Sequence, residues 1–157
     1  MIENNLAKAL REFIKEAIKE FRLPVENPEP IKDGDIRAPQ VINGYLPPKR
    51  SGDKDDFPFV IVRPERGTSE RTATTITVSI IIGCYAESYD GHEYCLNVMA
   101  RIRNALCSMP NNILAKKYVL SLPITWDMAQ DQPYPQWQLD MSTQWEFNTP
   151  QAIFEEV

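Results

Sequence analysis

The last regular stretch of the chain, Gln136 to Asn148, alternates without a break. Trp137, Leu139, Met141, Thr143, Trp145 and Phe147 fall on one side, and Gln136, Gln138, Asp140, Ser142, Gln144 and Glu146 on the other. Successive side chains of a strand point to opposite faces, so a period of two over this length specifies one buried and one polar face. Register is specified too, because a slip of one residue would carry both tryptophans into water. A chain with such a strand must also supply neighbouring strands and an apolar layer to cover it.

The rest of the chain offers both. Thr72 to Tyr85 alternates in the same way. Its even positions, Thr72, Thr74, Ile76, Val78, Ile80, Ile82 and Cys84, are expected to face the core, and its odd positions, including Ala73, Thr75, Thr77, Ser79, Ile81 and Gly83, are small or uncharged. Phe59 to Arg63 reads as a short strand bounded by Pro58 and Pro64. Tyr118 to Trp126 alternates with Tyr118, Leu120, Leu122, Ile124 and Trp126 on one side. Two helices are predicted as the covering layer. The first runs from Ile2 to Phe21, with Leu6, Leu10, Phe13, Ile14, Ala17, Ile18 and Phe21 recurring every three or four residues. The second opens at Asp90 and Glu93, which have the spacing of a capping box, and carries Cys95, Val98, Met99, Ile102, Ala105, Leu106 and Met109 up to Pro110. The pattern predicts an α+β domain over residues 1–157: a largely antiparallel sheet of four to five strands, with two helices packed on one face.

Residues 22–58 are expected to be mainly connection. They hold Pro24, Pro28, Pro30, Pro39, Pro47, Pro48 and Pro58, and only Gln40 to Tyr45 reads as a strand. Connections of this length inside a domain are often functional. Pro47, Pro48, Lys49, Arg50, Asp53, Lys54, Asp55 and Asp56 carry both charge signs. They read either as a solvated loop or as a docking loop that orders against a partner. Residues 149–157 are expected to form a short tail.

Chemistry is sparse. His92 is the single histidine, which excludes any metal site needing two. His92, Cys95 and Cys84 could supply three ligands, but both cysteines fall on apolar faces, where cysteine behaves as a small hydrophobe. No cysteine sits in a nucleophile context. The adjacent acids Asp55–Asp56 and Glu155–Glu156 read as solvated charges, and no glycine-rich phosphate loop occurs. The sequence thus predicts no catalytic residues, no cofactor and no metal. No stretch approaches the roughly 20 apolar residues of a membrane span, and the N-terminus lacks the apolar core of a signal peptide, so a cytoplasmic site of synthesis is expected.

The net charge of -5 is unevenly spread. Residues 118–157 contain Asp127, Asp131, Asp140, Glu146, Glu155 and Glu156 and no Lys or Arg, while the other 117 residues hold all 17 basic side chains against 16 acidic ones. That balance excludes a protein that grips nucleic acid by neutralising phosphates, and it removes a base-stacking role for Trp137, Trp145 and Phe147. Two electrostatically distinct faces suit head-to-tail contacts in a ring.

The order of these elements resembles the tail terminator and tail-completion (neck) proteins of tailed bacteriophages. The matching pieces are the opening helix LAKALREFIKEAIKEF, the proline-rich connection, the strand PFVIVRPERG, the strand ITVSIIIGCYAES, the helix DGHEYCLNVMARIRNAL and the closing strand PQWQLDMSTQWEF. The resemblance implies a non-enzymatic virion subunit, present in host cytoplasm during assembly. It implies a ring, commonly a hexamer, that caps the tail tube and joins it to the head connector, with DNA only as passing cargo and no membrane partner. Gln138, Asp140, Gln144 and Glu146 would then line the channel or meet a neighbouring subunit. A small-molecule-binding or regulatory α+β domain, with its ligand between helices and sheet, is the competing expectation.

Overall fold

The computed structural model describes residues 2–25, 36–46 and 56–149. The elements, in chain order, are α1 (Ile2–Ile18), β1 (Leu23–Pro24), β2 (Ile36–Arg37), β3 (Gln40–Asn43), β4 (Phe59–Ser69), β5 (Ala73–Tyr85), α2 (Gly91–Cys107), β6 (Ile113–Leu114), β7 (Tyr118–Asp127) and β8 (Gln136–Asn148). β1 and β2 form a small antiparallel ladder. The main sheet has the order β3-β4-β5-β8-β7-β6.

The α+β class and the two helices on one face match the expectation. The sheet does not: it has six strands rather than four or five, and it is mixed, because β3 runs parallel to β4. The extra strand is short. β6, which was not expected, is two residues long, below what periodicity can register, whereas β3 is the strand expected from Gln40 and only its parallel direction was not foreseen. β4 also runs six residues past its expected end. Pro64 does not stop it, because β3 pairs only as far as Val62, so among the described residues Pro64 has no strand beside it on that edge and no ladder N–H is required of it there. The register with β5 shifts at that point, between Pro64 and Arg66.

β5 and β8 form the centre of the sheet. They pair antiparallel over their whole lengths, from Ala73 opposite Asn148 to Tyr85 opposite Gln136. The two alternations are in phase: Ile76 faces Trp145, Ile80 faces Met141 and Ile82 faces Leu139, all buried. Leu6, Leu10, Ile14 and Ile18 of α1, with Val98, Ile102 and Leu106 of α2, cover this surface and are themselves buried. Truncating such a Leu or Ile to Ala typically costs about 2–5 kcal/mol.

Two details depart from the sequence reading. The capping box at α2 does not form, since Asp90 makes no side-chain cap bond. The helix instead begins at Gly91, where a Cβ would lie 2.0 Å from Nε1 of Trp137, so only glycine lets the helix start so close to β8. On β7, Leu122 and Trp126 are exposed, not buried; Leu122 lies in the stretch between Ser121 and Thr125 where pairing with β8 is interrupted.

Thr143 is the one polar residue on the apolar side of β8, and its role is specific. Its hydroxyl donates to the Val78 carbonyl at 2.8 Å and accepts the indole N–H of the fully buried Trp145 at 2.8 Å. Thr143→Val keeps the volume but strands a buried donor, which should lower unfolding free energy by about 1–3 kcal/mol in urea titration. A loss below about 0.5 kcal/mol would show that the pair is dispensable.

Candidate interaction surface

Among the described residues no helix covers the opposite face of the sheet, which is exposed along much of β7 and β8 and largely buried or half-buried on β5. Gln138, Asp140, Gln144 and Glu146 all project there, as the alternation requires. Register sets their neighbours: Gln138 beside Gly83, Asp140 between Ile81 and Asp127, Gln144 between Thr77 and Ser121, Glu146 between Thr75 and Val119. The Thr77 hydroxyl donates to the Gln144 side-chain oxygen at 2.8 Å. The four residues therefore form one polar lane along β8.

Two acids of the lane become cross-strand partners. Asp127 lies directly opposite Asp140, and both are exposed. The sequence showed that the last segment is acidic but not that these two residues meet. Their pairing depends on where β7 rejoins β8 after its interruption, which no local pattern encodes. At the other end of the lane Glu146 shares a depression of about 230 Å³ with Lys117 and Val119. Like charges directly opposite on a sheet are destabilising. Asp140→Asn should thus raise stability by about 0.2–1 kcal/mol at low salt, with the gain shrinking at high salt, as read by thermal or urea unfolding.

The uncovered face is not polar throughout. Near β4, Phe59, Ile61 and Ile81 form a second, small apolar cluster against Leu46 and Phe57. Ile81 was expected on a bland face, and the ring of Phe59, packed over Gly83, explains why it is covered. Leu46 and Phe57 flank the expected docking loop. Pro47, Pro48, Lys49, Arg50, Asp53, Lys54 and Asp55 lie outside the described residues. Asp56 is half-buried, and its main-chain carbonyl accepts from Arg37 and from Gln40, each at 2.8 Å. It belongs to the anchor of the segment.

A further surface, missed by the sequence reading, lies where β5 ends and α2 begins. Tyr89 stacks on Tyr134, with centroids 5.8 Å apart and planes 24° from parallel, and Tyr134 meets Trp137 edge-on at 6.2 Å. The two tyrosines are 84% and 50% exposed. They are 45 positions apart in sequence and lie in turns, where periodicity says nothing.

The thiols have a settled arrangement. Cys84 and Cys95 are buried and Cys107 is exposed. The Cys95 thiol points at the Trp137 carbonyl at 3.5 Å, while His92 is exposed beside the Trp137 ring. A hydrogen bond with Cys95 and then burial push the Cys84 thiol above its ordinary range, which disfavours the thiolate. Among the described residues no group of three or more His, Cys, Asp or Glu is placed to hold a metal, and no helix is long and apolar enough to cross a membrane. Iodoacetamide should label the native protein once, at Cys107, and three times in denaturant, counted by mass spectrometry. Fast labelling of Cys84 in the native state would contradict this burial.

No protein-family model matches the chain, and no curated protein does. Among solved structures the chain is similar to one titled "Virion of native gene transfer agent (GTA) particle", with a TM-score of 0.42 and 13% identity over 69% of this chain and 78% of that one. At this TM-score the likeness lends no weight to one function over another.

Proposed function

We propose that this chain is a structural subunit of a phage-type particle, a tail terminator or neck protein that forms a ring, caps the tail tube and joins it to the head. In this reading it works through its surfaces and not as a catalyst. Its partners are further copies of itself, the tube and the connector, and its place is the virion, after assembly in host cytoplasm. The observation that carries the reading is the one-sided sheet. Helices cover one face, while among the described residues the lane of Gln138, Asp140, Gln144 and Glu146, with Asp127, is left without a covering element on the other. An acidic lane facing a channel would repel DNA phosphates and let the duplex slide. Both side edges of the sheet are also open: β4 beyond Val62 and β7 beyond Val119 lack a neighbouring strand among the described residues. A subunit with different surfaces on its two sides associates head to tail, and such contacts close into rings.

The competing reading needs room for a ligand between helices and sheet. That space is filled by Leu6, Leu10, Ile14, Val60, Val78, Ile80, Val98 and Ile102, each 0% exposed. A depression of about 320 Å³ lies at the margin of this layer, where Glu3 of α1 approaches the Pro64–Ser69 stretch of β4 and Thr74 and Ile76 of β5.

Native mass spectrometry tests the reading. The expected species is a closed multiple of the 18.0 kDa subunit, six copies by the family resemblance. A protein that stays monomeric at every concentration reachable, alone and with tail-tube protein, would contradict it.

A further inference from the structure

We propose that the aromatic ledge of Tyr89, Tyr134 and Trp137 is a docking site for the Pro47–Arg50 segment of a second copy of this chain. The proposal rests on the ring reading above and names one contact within it.

The ledge is rigid before any partner arrives. The Tyr134 hydroxyl donates to the Glu87 carbonyl, and the Trp137 indole N–H donates to the Ala86 carbonyl at 3.1 Å. The Ala86 N–H donates to the Pro135 carbonyl at 3.0 Å. Gln132 braces the loop, donating to the Ala129 carbonyl at 2.9 Å and accepting the Gln138 N–H at 2.8 Å. A surface held this way loses little conformational entropy on binding. Exposed tyrosines on a fixed frame are the side chains that anchor interfaces.

The surroundings of the ledge select the partner. Glu87, Asp90, Glu93 and Asp131 are exposed around it. The sequence has no Lys or Arg between Arg71 and Arg101, or after Lys117, so the segments that build this end supply neither. Aromatic faces rimmed by carboxylates fit a segment carrying proline rings and cations. Prolines are pre-set in extended geometry and pack on aromatic faces, and guanidinium groups sit over tyrosine rings. The chain itself shows the second contact, with the Arg63 guanidinium 4.0 Å from the Tyr45 ring centroid. Its sequence has one place where consecutive prolines meet consecutive cations: Pro47, Pro48, Lys49 and Arg50.

The fold favours a second copy as the source. Trp137 packs against the core on the helix side of the sheet, and Gly91 of α2 lies over it. Leu46 and Phe57, which flank the segment, pack in the cluster on the opposite face. The residues that flank the segment and the ledge thus lie on opposite faces of one subunit, which suits a head-to-tail contact.

The test has two arms. A synthetic peptide of residues 45–56 is titrated calorimetrically into the full chain carrying Lys49→Ala and Arg50→Ala, whose own segment no longer competes. Binding is expected, weakened about tenfold or more by adding Tyr89→Ala. No binding, or equal binding to the Tyr89→Ala protein, overturns the ledge as the site. In the second arm, sedimentation velocity compares wild type with Lys49→Ala/Arg50→Ala. Association lost or weakened about tenfold in the variant supports the contact; association of equal strength overturns it. A wild-type protein that is always monomeric while the peptide binds the ledge would place the segment on its own subunit. That would overturn the second-copy assignment, and the monomeric state would count separately against the ring.

Discussion

The structure depends on the ladder between β5 and β8. These are the two longest strands, 13 residues each, and they pair from end to end. Because their alternations are in phase, one pairing decides everything on both faces. It brings Ile76 and Trp145, Ile80 and Met141, and Ile82 and Leu139 to the helix side, and Thr77 and Gln144 to the open side. A one-residue slip would expose the core and bury Asp140 and Glu146 at once, and the cost of burying unpaired carboxylates makes that register inaccessible. The buried relay from Trp145 through Thr143 to Val78 ties the two strands at the middle of the ladder.

Around this centre the chain uses arginines where regular pairing stops. Arg11 donates to the Val41 carbonyl at 2.9 Å and so joins α1 to the outermost strand β3. Arg37 reaches the Asp56 and Phe57 carbonyls at 2.8 and 2.9 Å. Arg63 holds the Gly44 carbonyl at 2.9 Å, just past the end of β3. Side-chain donors satisfy carbonyls that a strand neighbour would otherwise satisfy, and charged donors make stronger bonds than neutral ones. The irregular backbone at Gly44 and at Asp56–Phe57 is thereby tied down.

How much was legible follows from where information sits in a sequence. β8 was readable to the residue and β5 nearly so, because a half-buried strand writes its faces as a period of two. The stripes of α1 and α2 were readable for the same reason at 3.6, though α1 ends three residues earlier than expected, at Ile18. β6, the parallel pairing of β3 and the extension of β4 past Pro64 were not readable, since each is decided by a neighbouring strand. The polar lane was legible as a set of residues on one face. Its Asp127–Asp140 pairing was not, nor was the Tyr89–Tyr134 ledge, because both join distant segments. Asp90 and Glu93 had the spacing of a cap, yet the close approach of Gly91 to Trp137 governs that helix start instead.

The central claim is that the open face of the sheet serves an assembled ring, and a cryo-electron microscopy map of the purified oligomer tests it most directly. The account predicts a closed ring with Gln138, Asp140, Gln144 and Glu146 of every subunit facing the channel or a neighbour. A map that places these four residues on the outer rim, in contact with solvent alone, would contradict it.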